Sequence, residues 1–378
     1  MPVPAARLSR LNSAPLRSDG DYVLYWMTAF RRTKHNFALQ HAADRARELG
    51  KPLLIFEPLQ LHYRWASDRL HRFVIEGMRD NARALARKPV TYYPYVEPHP
   101  GRAAALFGRL ARRACGLVTD DYPCFFLPAM QAHVGKRLPV SLEAVDSNVV
   151  IPMRWADRTF TVAHSYRRWM QKKILDAMLE PPRVDTLKGL RLPRSEALPN
   201  EIAAAYPRAD VDALLAADGL QPLPIDHGVR PNPEIAGGAV AAGKRWKRFL
   251  RQRLDRYDQD RNHPDRTATS GLSPYLHFGH IAAHQLLADL LEAERWTPDR
   301  VAPPNGKNHG FWNLSPSAEA FIDQLLTWRE MGFNLAHRQP HDYDQYESLP
   351  NWALKTLDLH RADPRPAIYD PEQFERAE

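Results

Sequence analysis

The segment 261–279 carries the densest group of residues that could bind an anion. Its centre, residues 269–273 with the sequence TSGLS, places three hydroxyl side chains and a glycine immediately before Pro274 and a run of helical character. Ser or Thr in front of such a run caps a helix, and Pro is favoured in the first turn. Free backbone N–H groups at a helix start, together with hydroxyls, suit a phosphate. The segment is therefore either a phosphate-binding loop or an ordinary capped helix.

A second candidate site lies on a predicted helix over residues 317–335. Gln324 and Trp328 are four residues apart, so they share one face of that helix. An indole can stack on a flat heterocycle while a neighbouring amide hydrogen-bonds the edge of the heterocycle. A core tryptophan with a satisfied glutamine gives the same spacing, and the residues alone leave both interpretations open.

Two further patterns also have a functional and a structural interpretation. The run 244–257, KRWKRFLRQRLDRY, places Trp246 and Phe249 on one face and Lys or Arg around the rest. It is either an amphipathic helix with a solvated basic side or a contact for nucleic-acid phosphates. The spacing of three histidines could hold a metal along one helix face, although no Cys or carboxylate converges on them in sequence; they are His277, His280 and His284.

The elements that would position these residues begin with an alternating pattern in the first part of the chain. Short β-rich runs at 22–27, 52–56, 90–95 and 117–119 are separated by helical runs such as 35–49 and 69–87. This alternation predicts a Rossmann-like parallel α/β domain over residues 21–155. Ligands of such sheets bind at the carboxyl edge of the strands, where Arg31 and Arg32 would lie. An NAD fingerprint is excluded, because no G-x-G-x-x-G follows the first strand.

The remaining chain divides into three parts. Residues 1–20 are predicted to be a flexible N-terminus. Residues 156–238 are predicted to be a long connector, since nine prolines between positions 181 and 233 prevent long helices. Residues 239–378 form a predicted all-helical domain, with helices near 239–257, 274–292, 317–335 and 351–361. The expected fold class is therefore α/β plus all-α.

Charge and composition narrow the partners and the compartment. The chain has 52 Lys and Arg against 44 Asp and Glu, a formal net charge of +8, which favours polyanions through counterion release. Cys115 and Cys124 lack the spacing of a disulfide framework or a zinc site. Apolar runs are too short for a spanning helix, and the N-terminus lacks the apolar centre of a secretory signal. These features predict a cytoplasmic protein without membrane contact.

Several motifs together resemble those of one protein family. Tyr257, followed twelve residues later by TSGLSPYLHFG, resembles the flavin-binding signature of the photolyase/cryptochrome family. Three other segments resemble the class II cyclobutane pyrimidine dimer photolyases: VLYWM at 23–27 with NFAL at 36–39, VDSN at 145–148 with VIP at 150–152, and PNWAL at 350–354 with His360 and DPR at 363–365. Their common order along most of the chain makes the set specific.

The resemblance implies a cofactor, its ligands and a substrate-facing pair. The cofactor is FAD, and the implied binding residues are Tyr257, Thr269, Ser270, Gly271, Leu272, Ser273 and Leu276. The implied substrate-facing residues are Gln324 and Trp328, with Gln324 departing from the Glu that is usual in the family. A neutral amide can hydrogen-bond a substrate, but it cannot deliver a proton. No metal is implied, and the antenna chromophore is not identified by these motifs.

The resemblance therefore implies a monomeric deoxyribodipyrimidine photolyase, a carbon–carbon lyase that binds damaged DNA in the nucleoid and repairs pyrimidine dimers with light through reduced FAD. Two alternatives stay open: a cryptochrome-like blue-light sensor, which the Gln324 departure would suit, and a non-catalytic nucleotide- or DNA-binding remnant. The helical half of the family continues past the segment matched by 350–365, so the resemblance also implies a C-terminally shortened member with an incomplete flavin pocket.

Overall fold

A computed structural model describes residues 2–193 and 198–376 of the chain. The chain divides into two compact units, Met1–Arg338 and Gln339–Glu378. The first unit contains a six-stranded sheet with the order β1-β6-β5-β2-β3-β4. The strands are β1 (Leu8–Arg10), β2 (Tyr22–Trp26), β3 (Leu53–Leu59), β4 (Thr91–Val96), β5 (Ala114–Asp120) and β6 (Leu142–Val145).

The sheet is parallel except for β1, which runs antiparallel to β6 at one edge. Every residue of β2, β3 and β5 is buried, as expected for central strands that are covered by helices on both faces. The covering helices are α1 (Phe37–Glu48), α2 (Asp68–Leu85), α3 (Arg102–Arg113) and α4 (Leu127–Gly135). The expected Rossmann-like α/β architecture is confirmed.

The N-terminus differs from the expected flexible segment. Residues 8–10 form β1, which the sequence pattern missed because three residues are too few to show alternation. Arg7, immediately before the strand, is only 1% exposed and donates hydrogen bonds to the carbonyls of Val149 and Val150 at 3.0 and 2.5 Å. A buried guanidinium needs such partners, so these bonds fix the start of the chain against the core.

The predicted connector also contains a long helix, α5 (Ala163–Met178). Tyr166, Met170 and Ile174 of this helix are buried in the same hydrophobic core as the C-terminal helices of the unit. Beyond it, the described residues of the proline-rich stretch form two short helices, α6 (Asn200–Ala205) and α7 (Val211–Leu214). Part of the expected connector is therefore structural core rather than linker.

The helical half of the first unit contains α8 (Gly238–Gln252), α9 (Tyr257–Asp260), α10 (Ser273–His277), α11 (Ala283–Ala293), α12 (Pro316–Ile322) and α13 (Arg329–Arg338). The predicted helix 274–292 is interrupted between α10 and α11 at Gly279, which has a φ of +70°. A Cβ at Gly279 would lie 2.0 Å from the carbonyl oxygen of Ala29, so only glycine permits this close approach. The predicted helix 317–335 is continuous, but residues Asp323–Trp328 between α12 and α13 form a π-helical turn.

The second unit contains α14 (Asn351–Leu359) and α15 (Pro371–Arg376). None of its described residues is buried. The expected single helical domain over 239–378 is therefore divided after Arg338. The described residues of the second unit bury no side chain, because a segment of about 40 residues is too short to build a core of its own.

Candidate functional site

The hydroxyl side chains of the loop 269–273, which precedes α10, do not cap that helix as expected. Helix α10 has five residues, and within the described chain no side chain caps its first turn. Ser270 Oγ instead accepts a long hydrogen bond, 3.4 Å, from the backbone N–H of Leu272. Thr269 and Ser273 are exposed. The capping prediction is therefore wrong, because the hydroxyls stabilise the turn or face solvent, where they remain available to a ligand.

Two arginines place positive charge beside this loop. Arg245 lies on α8, and Arg253 lies at the C-terminal end of that helix. Arg253 donates a hydrogen bond to the carbonyl oxygen of Thr269 at 3.3 Å. Gly271 has a φ of +64°, and a Cβ there would lie 2.6 Å from a guanidinium nitrogen of Arg245. The backbone thus approaches a cation in a conformation that only glycine adopts readily. Hydroxyls, backbone N–H groups and two guanidinium groups form a suitable donor set for phosphate.

The other residues that were assigned to the cofactor belong to, or pack against, the hydrophobic core of the helical half. Tyr257 is 7% exposed and Leu272 is 1% exposed, and both belong to the hydrophobic core of the helical half. Leu276 is half-buried against the same core. Tyr257 packs edge-on against Phe321, with ring centroids 5.7 Å apart. Phe321 lies three residues before Gln324 on one continuous helix, so this contact packs Tyr257 against the helix that carries the second candidate site.

Gln324 and Trp328 both face outward from the π-helical turn. Trp328 is 48% exposed, and Gln324 is also exposed, so the pair does not lie in the core formed by the described residues. The Nε1–H of Trp328 donates to Oδ2 of Asp323 at 3.2 Å. Asp323 in turn accepts two hydrogen bonds from Arg167 of α5, at 2.7 and 3.1 Å. The indole is thereby held in one orientation while its face remains open.

The π-helical turn is what brings Asp323 to the indole of Trp328. In an α-helix, residues five apart point about 140° away from each other. A π-turn forms hydrogen bonds from i to i+5 and has more residues in each turn than an α-helix, which brings residues five apart closer to one face of the helix. Sequence reasoning missed both the turn and Arg167, because no residue pattern signals a π-turn and Arg167 lies 156 residues from Asp323.

The residues after the pair attach the helix to the segment that follows β6. Arg329 donates to the carbonyl and side-chain oxygens of Asn148 at 3.0 and 2.7 Å. Glu330 accepts from the N–H of Val150 at 2.6 Å, and burial raises the pKa of its carboxyl to about 7. Asn334 accepts from the N–H of Phe160 at 2.9 Å. These bonds orient the whole helix that carries the candidate pair.

A separate aromatic cleft of about 400 Å³ lies at the carboxyl edge of the sheet. Its walls include the aromatic side chains of Trp26, Tyr63, Trp65, Tyr122, Phe125, Phe126 and Phe278. Phe125 has a φ of +62°, a strained value for an aromatic residue. Arg31 lines the cleft and forms an ion pair with Glu57 at 3.1 Å. Arg32 instead donates hydrogen bonds to the carbonyl oxygens of Gly279 and Ser147. The cleft suits a flat, mostly apolar ligand.

The three histidines do not form a metal site in the described chain. No three His, Cys, Asp or Glu side chains in residues 2–193 and 198–376 are grouped to hold an ion. His280 accepts a hydrogen bond from the N–H of Gly238 at 2.9 Å, and burial lowers its pKa to about 3. His277 instead packs edge-on against Phe125.

Among residues 2–193 and 198–376, every helix is too short or too polar to cross a bilayer.

Comparisons with known proteins agree on one group of relatives. No family model matches the chain. The chain is 28% identical over 374 residues to the deoxyribodipyrimidine photo-lyase of Methanothermobacter thermautotrophicus. This alignment covers 99% of the chain and 74% of the relative. It is 32% identical over 370 residues to the enzyme of the same name from Oryza sativa subsp. japonica, covering 95% and 66%.

A solved structure supports the same relationship at the level of the fold. The bacterial class III photolyase of Agrobacterium tumefaciens aligns with 98% of this chain and 66% of its own length, with a TM-score of 0.57 and 15% identity. The chain thus spans about two thirds to three quarters of the proteins that it resembles.

Proposed function

The chain belongs to the photolyase/cryptochrome family, and from this premise we propose that it is a class II-like photolyase. Its proposed reaction is the light-driven repair of cyclobutane pyrimidine dimers in DNA. The observation that carries the proposal is the exposed pair Gln324 and Trp328, which presents an open indole face and a side-chain amide on the same compact unit as the phosphate-suited loop.

The residues present fit the diphosphate of FAD. Thr269 and Ser273 offer exposed hydroxyls, Gly271 leaves the backbone open to close approach, and Arg245 and Arg253 supply charge. In the proposal, these residues hold the phosphates, while Tyr257 and Leu272 provide the apolar floor. Reduced FAD, when bound, supplies under light the electron that opens the dimer.

The substrate side of the proposed reaction depends on Trp328 and on the basic surface. The exposed indole offers a stacking face to an extruded base, and a damaged pair costs less to extrude than an intact one. In the proposed complex, the side-chain amide of Gln324 would hydrogen-bond the edge of the same base. Exposed cations on α8, namely Lys244, Lys247, Arg248 and Arg251, would contact backbone phosphates without sequence preference. We propose that the protein acts as a monomer on DNA.

The experiment that tests this proposal measures cofactor binding and repair on the same preparation. Purified protein is reconstituted with FAD, its visible spectrum is recorded, and a dimer-containing oligonucleotide is illuminated with blue light. We expect flavin absorbance in the protein fraction and light-dependent loss of the dimer. A folded protein that does not take up FAD would refute the proposal and would favour a non-catalytic DNA-binding role.

A cryptochrome-like light sensor is the second candidate function, and the neutral side chain of Gln324 favours it. In that case the protein binds FAD and responds to light, but it leaves the dimer intact. The illuminated oligonucleotide distinguishes the two functions directly.

We also propose that the aromatic cleft at the sheet edge holds an antenna chromophore, which mass spectrometry of the purified protein would identify.

A further inference from the structure

An exposed loop over residues 305–310, here called the anchored loop, has its backbone fixed by buried side chains of α5. Gln171 Oε1 accepts hydrogen bonds from the N–H groups of Asn305 and Gly306 at 3.0 and 2.8 Å, and Gln171 Nε2 donates to the carbonyl of Lys307 at 3.0 Å. Arg167 donates to the carbonyl of Gly306 at 3.0 Å. Gln171 is 4% exposed and Arg167 is 9% exposed. Two buried polar side chains therefore hold a segment whose own side chains face solvent.

The anchored loop is held in one conformation as well as in one place. Gly306 has a φ of +78°, and a Cβ there would lie 2.6 Å from the imidazole of His164 on α5. At the far end of the loop, Glu319 accepts from the N–H of Gly310. A loop fixed before binding loses little conformational entropy when a ligand arrives, which is typical of a preorganised binding element.

The side chains that the anchored loop presents are suited to an anion. Lys307, Asn308 and His309 are exposed, residues 301–310 contain no carboxylate, and the nearby carboxylate of Glu319 is buried and accepts the N–H groups of Gly310 and Trp312. Asp323 shares the guanidinium of Arg167 with the loop, so its charge is compensated. Arg168 is a further exposed cation on α5, the helix that carries Arg167 and Gln171. A lysine on a fixed backbone acts as a point charge for phosphate.

One side chain connects the anchored loop to the exposed indole. The guanidinium of Arg167 donates both to Gly306 and to Asp323, and Asp323 accepts the indole N–H of Trp328. The position of Lys307 relative to Trp328 is therefore set through a single planar group.

We propose that the anchored loop binds a backbone phosphate of the damaged DNA strand through Lys307, with Arg167 as the positioning residue that keeps this contact in register with Trp328. The proposal rests on the proposed function, because it takes the indole of Trp328 as the face that receives the damaged base. It adds a second contact with the same strand, from a part of the chain that no motif identified.

The first test replaces Lys307 and compares it with a lysine of equal charge elsewhere. Lys307→Gln is expected to weaken binding of dimer-containing and undamaged DNA alike, by about three- to tenfold at low salt, and to reduce the salt slope by about 1. Lys136→Gln, on the exposed end of α4, makes the same change in net charge and should change affinity less than twofold. Equal effects of the two substitutions would overturn the proposal.

The second test examines the positioning role of Arg167. Arg167→Lys keeps the charge but loses the planar group, so it should lower the preference for dimer-containing DNA and also shrink the effect of Lys307→Gln in the double variant. Should Arg167→Lys fail to fold in a thermal melt, Gln171→Met loosens only the loop and should reduce the salt slope without altering the dimer preference. Strict additivity of Lys307→Gln with both of these substitutions would refute the positioning role.

A failure of the proposed function gives a different result. Trp328→Ala would then leave the dimer preference unchanged while Lys307→Gln still reduced the salt slope. If the loop proposal alone is wrong, Trp328→Ala abolishes the preference for dimer-containing DNA, and Lys307→Gln changes the affinity no more than Lys136→Gln does. That result would support the lesion site and refute the phosphate contact of the anchored loop.

Discussion

Replacing Trp328 with alanine removes the largest exposed surface of the proposed substrate face. The residue is 48% exposed, which leaves about 120 Å² of a side chain of about 250 Å² for contact with a base. Complete coverage of that surface at about 25 cal/mol per Å² gives an upper bound of ~3 kcal/mol. Base–aromatic stacking is worth about 1–3 kcal/mol, so Trp328→Ala should weaken dimer binding by roughly five- to 150-fold.

The loss should be specific to damaged DNA and should not reflect unfolding. The substitution also removes the hydrogen bond to Asp323, which costs only about 1 kcal/mol of stability, a small shift in Tm. Fluorescence anisotropy at fixed salt, with dimer-containing and undamaged oligonucleotides, measures the two affinities. Trp65→Ala is the matched control, since Trp65 is 57% exposed on the rim of the aromatic cleft. Equal weakening of both oligonucleotides by Trp328→Ala, or no weakening at all, would refute the stacking argument.

Three further predictions concern the loop and the buried carboxyl. The double substitution Thr269→Ala with Ser270→Ala should weaken FAD binding by about 1–3 kcal/mol in a titration monitored by absorbance, because two phosphate donors are lost. Gly271→Ala should destabilise the protein by about 1–2 kcal/mol in a thermal melt because its φ is +64°, whereas Gly243→Ala on open α8 surface should be neutral or stabilising. Burial raises the pKa of Glu330 to about 7, so the stability that its protonated form contributes is present below its usual pKa of 4.5 and is lost as pH rises through 7. Urea unfolding at pH 5 and pH 8 should show this loss, about 3 kcal/mol at most, and Glu330→Gln should abolish it.

The α/β half could be predicted from the sequence because its signal is local. Strands β2, β3 and β5 are short, fully buried and mostly apolar, and they alternate with amphipathic helices, so residue order alone indicates a parallel sheet. Strand β1 escaped prediction, since its place depends on antiparallel pairing with β6, which lies more than 130 residues away. Such a pairing leaves no trace in a three-residue segment.

The helical half illustrates a different limit. Helical periodicity over 274–292 predicted one helix, but a close approach between Gly279 and the loop after β2 divides it. The approach involves two distant parts of the chain, so periodicity cannot report it. The expected cap before α10 failed for a related reason: Ser and Thr bond to nearby backbone groups in turns as readily as at helix starts.

The sequence by itself determined which residues could do chemistry at the candidate site. The spacing of Gln324 and Trp328 predicted that they share one face, and the hydroxyl-rich segment 269–273 indicated either a phosphate-binding loop or an ordinary capped helix, because both patterns depend only on neighbours along the chain. Only the tertiary structure decided that the pair is exposed, that a π-turn lets Asp323 reach the indole, and that Arg167 ties both to the anchored loop. Burial and hydrogen bonds between distant residues arise from packing, and packing is a property of the folded chain as a whole.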